Sequence, residues 1–400
     1  MVALMWIAGG ILRLVPESLV GRLLPGSLRF TTADIPGPPI APSEPVRLYI
    51  GPVNWAGQAT AWAKAAVRYL SGVGAVTMAY RTAKDFSFPV DNPVPLGVYA
   101  ASRRWQRAQY RAVSEGFTHV IVEAERQPFG AILDRSARSQ VERLERAGIA
   151  VAMLCHGSDI RLPSRHAAEN PDSPFHGSIL STTAKLERDA RRNRVLLDRL
   201  ELPVFVSTPD LLIDVPAATW LPVVVDPPAW KSDTLPLERT IPVVAHAPSR
   251  GAMKGSDLID PILRRLEYEG IVSYRRVEGV PFSEMGNVYR DADIVLDQFR
   301  LGDYGVAACE AMAAGRVVVA HVSTHSRDHV LSTTGLELPV IESRAENLAD
   351  VIMGILADRE HYREVAARGV EFVAEVHSGR RSAELLRPFL GAGDHRSVAR

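Results

Sequence analysis

Two Rossmann-like, doubly wound α/β domains facing a central cleft are the architecture this sequence predicts, and three observations predict it. Short apolar runs bounded by turn residues alternate with longer segments of helical period, the pattern of βαβ units on a parallel sheet. The alternation comes in two halves, and each half opens on a strand that enters a glycine-marked loop and then a helix, at 46–58 and again at 242–256. Between them, residues 226–238 (DPPAWKSDTLPLE) break all periodicity with proline and acidic residues, as an interdomain hinge does.

Composition sets the outer bounds. The 400 residues suffice for two domains of about 150–200 residues, each with its own core. Basic and acidic residues both number 46, so the formal net charge is zero, and no basic block indicates a nucleic-acid partner. Cys155 and Cys309 lie far apart in apolar contexts and are expected as buried free thiols of a reducing, cytoplasmic compartment. No Cys/His cluster has metal-ligand spacing, and no apolar run reaches the ~18–20 residues of a membrane span.

Taken in order, residues 1–30 form an N-terminal segment. Its opening, MVALMWIAGGIL, has neither a basic leader nor a small-residue cleavage site, so it does not read as a signal peptide. Leu14, Val15, Leu19, Val20, Leu23 and Leu24 extend it into an amphipathic helix over 1–25. That helix either docks on the protein or makes peripheral contact with the cytoplasmic face of a membrane; with only Arg13, Glu17 and Arg22 charged, docking is favoured. Residues 31–45 hold five prolines and read as an extended linker.

The first domain is expected over 46–225. Strands are predicted at 46–50, 75–79, 119–123, 149–154, 204–207 and 220–225, with helices after Gly57, around 105–115, at 132–146 and, strongly charged, at 182–200. Residues 51–58 match neither G-x-x-x-x-G-K-[ST] nor G-x-G-x-x-G, so Gly57 reads as a structural turn or the floor of an acceptor site rather than a phosphate cradle. His156, Asp159 and Arg161 follow a strand's carboxyl end, where open α/β sheets place ligands. A local His–Asp hydrogen-bond motif is the other reading of that run. A Ser/His/Asp triad is a worse reading, because no nucleophile elbow is present.

The second domain is expected over 226–375. Its first strand, 242–245, enters a loop with Arg250 and Lys254 beside Gly251 and Gly255, which suits a diphosphate. Residues 291–320 then read as one βαβ unit: strand, a loop marked by Gly302 and Gly305, a small-residue helix over 306–314, Gly315, and a buried strand. A helix that starts at Gly305 and Val306 just past a parallel strand offers free N–H groups and its positive dipole end to an anion. Glu310 is the polar exception on an alanine-rich helix; its partner is a ribose diol, a salt bridge or solvent. Asp291 and Asp293 precede their strand and look like a helix-end and strand-start pair, not a metal-binding D-x-D. Further helices are expected at 345–358, 361–374 and 382–390. Within residues 376–400 the last helix would return to the first domain, with 391–400 frayed.

The run GDYGVAACEAMAAGRVVVAH resembles the nucleotide-sugar motif of retaining GT-B glycosyltransferases of the family-four type, through Tyr304, Gly305, Glu310, Ala311, Met312, Ala313 and Gly315. The HGSDIR run at 156–161 and the Lys254-Gly255 pair are similar to that family's amino-domain histidine segment and phosphate clamp. The resemblance implies a GT-B fold and transfer of a sugar from a nucleotide-diphosphate donor to a glycan, lipid-linked or small-molecule acceptor, with retention and no protein cofactor. It assigns the phosphates to Arg250, Lys254, Gly305 and Val306, the ribose to Glu310, and the donor sugar to His156. The sequence departs where the family has its first motif glutamate, here Gly302; Asp303, with Tyr304, is the expected substitute at the sugar ring. Metal independence is expected because Lys, Arg and a helix N-terminus can take up the diphosphate charge. A sugar-nucleotide epimerase or hydrolase, or a non-catalytic scaffold of the same architecture, are the alternatives.

Overall fold

The computed structural model describes residues 16–82, 88–130 and 134–394. They form two compact units: one of the residues up to His156 with Val195–Phe205 and those from Ala383, the other of Gly157–Arg194 and Val206–Ser382.

In the first unit, strands β1 (Val46–Gly51), β2 (Val73–Arg81), β3 (Asn92–Pro95), β4 (His119–Glu123) and β5 (Ala150–Cys155) are parallel, and β6 (Val204–Val206) follows beyond β5. The spatial order is β3-β2-β1-β4-β5-β6, in which the direction of winding reverses between β1 and β4. Ligands of such sheets bind beyond the strand ends at that reversal. Leu48, Tyr49, Ile50 and Val120–Val122 are fully buried on both faces, as the apolar runs required.

The second unit carries β7 (Val243–His246), β8 (Ser273–Arg276), β9 (Ile294–Leu296), β10 (Val317–Ala320) and β11 (Ile341–Glu342), all parallel, in the order β8-β7-β9-β10-β11. Here the reversal lies between β7 and β9, so the loops after those two strands are where a ligand site belongs. Leu263, Ile294, Val317, Val319 and Ile352 are among the residues of its core.

Several expected boundaries move. Residues 157–194 and 206–225 belong to the second unit, and buried bonds explain it: Arg161 pairs with Asp210, and Asn170 donates to the Arg300 carbonyl at 2.8 Å. Of the strand expected at 220–225, only Thr219–Trp220 forms, because Pro222 cannot donate to a ladder. The 226–238 hinge is a packed segment, with Trp230 against Phe282 and Tyr289 and the Leu237 N–H on Asp293. At the carboxyl end, residues from Ala383 join the first unit, where Phe389 meets His119 edge-on. Gly393–Asp394, expected to fray, pairs antiparallel with Leu70–Ser71. Residues 395–400 lie outside the described residues.

Of the N-terminal helix expected over 1–25, residues 1–15 also lie outside them; the rest forms α1 (Glu17–Leu23), and it docks. Val20 and Leu24 are buried, and Glu17 accepts from the Ser102 hydroxyl and from the Arg104 N–H, at the start of the helix Arg103–Gly116. Two glycines allow the close approach: a Cβ on Gly21 would overlap the Phe30 carbonyl, and one on Gly97 the Leu28 carbonyl. Gly97→Ala should therefore destabilise the protein by about 1–3 kcal/mol in urea unfolding, as overpacking against fixed backbone does. An unchanged midpoint would refute the docking contact.

Candidate functional site

The first unit gathers polar groups at its sheet reversal. Glu123 ends β4, fully buried, and its Oε2 accepts the backbone N–H groups of Val53 (3.0 Å) and Asn54 (3.1 Å) from the loop after β1. Its Oε1 lies 2.9 Å from His156 Nε2 at the end of β5. The imidazole is flanked by the Trp55 and Trp62 rings, at 5.2 and 5.8 Å. One carboxylate thus fixes both a loop and a histidine. Gly57 stands at φ +72° at the start of the helix Gln58–Tyr69, and a Cβ there would reach 3.0 Å from the Phe88 ring, so its role is the turn.

The second unit gathers its own set at the β7/β9 reversal. Lys254 Nζ lies 2.5 Å from Asp297 Oδ1, and Asp297 Oδ2 accepts the Gly305 N–H at 3.2 Å. Behind them His246 bridges the Leu296 carbonyl (2.9 Å) and Ser256 Oγ (2.8 Å); burial holds its pKa down to about 4, so it is neutral. The helix α2 (Val306–Ala313) starts beyond Gly305 with no side-chain cap. Its first-turn N–H groups are open to an anion. Glu310 sits on the second turn. It is buried, and among the described residues no donor hydrogen-bonds its carboxylate; burial pushes its pKa up to about 8, opposed by the Lys254 charge and reinforced by Asp297. Lys254, Gly305, Val306 and Glu310 are thus brought together. Arg250 is exposed on the same loop and has no ionic partner among the described residues.

Other expected site residues turn inward. Asp303 is buried: its Oδ1 accepts the Tyr304 N–H at 2.7 Å and its Oδ2 the Asp210 N–H at 3.2 Å. Burial and the Asp210 charge raise its pKa far above the carboxylate range, while Arg161 holds Asp210 ionised. Asp303 therefore does not replace the missing glutamate at a sugar; it is a neutral acid inside the loop. Tyr304 is buried too, its hydroxyl 3.2 Å from His377 Nε2. Arg161 is engaged by Asp210, with Nε 2.7 Å away, and Asp159 Oδ1 accepts the Gly157 N–H at 2.5 Å, so both side chains are bonded within the second unit. Gly302 holds φ +72°, a backbone that a glutamate would adopt only under strain.

Comparison with known proteins gives the architecture its name. No protein-family model matches the chain, and no curated protein matches it. Among solved structures it is similar to the sucrose-phosphate synthase of Thermosynechococcus elongatus, with 13% identity, a TM-score of 0.52, and 86% of this chain and 98% of that one covered. It is also similar to Anabaena HepE in complex with UDP and glucose, with 13% identity, a TM-score of 0.53, and again 86% and 98% covered. The fold is GT-B.

Within this GT-B chain, sequence reasoning missed Asp297 and Glu123, the two carboxylates that organise the loops. Each is the acid at or just past the end of a buried parallel strand beside the reversal, and that position was the available signal. Asp293, by contrast, is consumed structurally, accepting Leu237 N–H (2.7 Å) and Val243 N–H (2.8 Å) and pairing with Arg239.

The state of Glu310 predicts a pH dependence. Its pKa moves from 4.5 when unfolded to about 8 when folded, so the folded state holds the extra proton between those values. This group's contribution is complete below pH 4.5 and fades as pH rises through 8. Glu310→Gln should remove that decline, leaving the ligand-free variant more stable than wild type above pH 8 by chemical denaturation. Parallel stability curves across the range would show that Glu310 is not buried unpaired.

Proposed function

We propose that this protein is a glycosyltransferase that moves a sugar from a nucleoside-diphosphate donor to a hydroxyl acceptor, with retention at the anomeric carbon and without a divalent metal. The observation that carries the reading is Glu310: a buried, unpartnered carboxylate one turn above an uncapped helix N-terminus, with Lys254 on the facing loop. Burying a carboxylate without donors is unfavourable, so the arrangement suits a ligand that brings its own hydroxyls and an anion together. A ribose diol would donate to Glu310 while the diphosphate takes the helix N–H groups and Lys254. HepE was solved with UDP and glucose, which supports a nucleotide-sugar donor for a chain of the same fold.

In the reaction, the bond from the sugar's anomeric carbon to the phosphate oxygen breaks and the acceptor oxygen bonds that carbon on the same face. The acceptor's proton passes to the departing phosphate. Lys254 and the α2 N-terminus stabilise the charge that grows on the leaving group, the part a metal plays elsewhere. Arg250, on the loop that carries Lys254, is free to close on the phosphates.

A hydrolysis and transfer panel of UDP- and GDP-sugars tests the class: an epimerase would alter the sugar without release, and a scaffold would do nothing. Lys254→Ala should weaken nucleoside-diphosphate binding by about 2–5 kcal/mol, and chelator should leave activity intact. Because that substitution also strips Asp297 of its partner, melting of the free variant separates lost binding from lost folding. Wild-type affinity in a folded Lys254→Ala, or activity lost to chelator and restored by metal, would overturn the proposal. The bound form needs Glu310 ionised, so donor affinity should rise with pH up to about 8 and then level off. Calorimetry in buffers of different ionisation enthalpy would detect the proton released; a pH-independent affinity would sink the ribose contact.

A further inference from the structure

The first unit has a second polar feature away from His156. The helix Arg103–Gly116 buries Trp105, Gln106, Gln109 and Val113 and exposes Arg104, Arg107 and Arg111, spaced three and four residues apart on one face. Together with Arg143 of the helix Ala137–Arg146, which lies over the Tyr110 ring at 4.2 Å, these arginines line an open groove of about 1000 Å³. Three acids also line it. Glu17 is occupied by the Ser102 hydroxyl and the Arg104 N–H, and Glu115 lies a loose 3.8 Å from Arg111, which leaves Asp134 and a net positive surface.

The helix that Glu17 begins is α1, and it has two apolar faces. Val20 and Leu24 go inward, while Leu19 and Leu23, one turn apart, are 48% and 70% exposed. Glu17 therefore ties a solvent-facing leucine pair to the first turn of the arginine-bearing helix. A soluble anion would use the arginines and leave the leucines unexplained. An anionic bilayer uses both, since apolar side chains enter the headgroup boundary while arginines meet lipid phosphates. We propose that this face of the first unit, α1 with the arginine row, docks on a membrane surface rich in anionic lipid.

The test is co-sedimentation of the full chain with vesicles of phosphatidylcholine alone and with about one-third phosphatidylglycerol. Wild type should bind only the anionic vesicles and be released by about 0.5 M salt, an arm that needs no variant. Arg104→Gln/Arg107→Gln/Arg111→Gln and, separately, Leu19→Gln/Leu23→Gln should each weaken binding by at least about tenfold, since each basic residue near the surface contributes roughly a fivefold factor. Both sets are on exposed positions, and unchanged melting confirms that they fold. No vesicle binding, equal binding to neutral vesicles, salt resistance, or full binding by either variant would overturn the proposal. So would retention on heparin without vesicle binding, which would assign the arginines to a soluble polyanion.

Discussion

The bond from Asp297 to the Gly305 N–H is the constraint on which the second unit's site depends. With Lys254 on its other oxygen, this carboxylate clamps the loop after β7 to the start of α2, across the line where the sheet reverses. It also sets the electrostatics. Lys254 is one cation facing two carboxylates, Asp297 and Glu310, and direct contact gives it to Asp297. Glu310 is left buried with a neighbouring negative charge, which is why its proton is held up to about pH 8. An anion arriving at Lys254 and a diol arriving at Glu310 would each correct part of that imbalance.

The first unit repeats the device with different partners. Glu123, at the end of β4, fastens the loop after β1 through two backbone N–H groups and orients His156 through its second oxygen. In both units a buried acid at a strand end beside the reversal joins two loops that sequence separates by tens of residues. The reason is geometric: the two strands at the reversal pair along their length, but past their ends the loops part and no ladder joins them, so a side chain with two acceptors can bridge them.

This explains what was legible in the chain and what was not. The buried strands and Glu310's helix could be read because apolar periodicity and glycine stops are local signals. The orientation of Asp303 could not, since it depends on Asp210 and Arg161, distant in sequence; read locally, an acid next to a glycine turn looks like a ligand group, whereas in the fold it is a neutral acid accepting two N–H bonds. The same holds for residues 157–194, whose allegiance to the second unit rests on long-range bonds such as His166 to the Leu301 carbonyl at 3.1 Å. Pro222 was visible and should have ended the expected strand.

Gly302 bears on whether the site is alive. The loop after β9 turns there at φ +72° and is then pinned by Asp303, so the glycine suits the path of this loop. Its presence in place of a glutamate is therefore a property of the loop and not, by itself, a mark of decay. Glu310 points the other way. A scaffold that had stopped binding a donor would gain stability by replacing a buried carboxylate that no donor bonds among the described residues with glutamine or alanine. Local rules broken at a conformationally ordinary position, in the middle of a well-formed helix, are the expected signature of a group kept for a ligand.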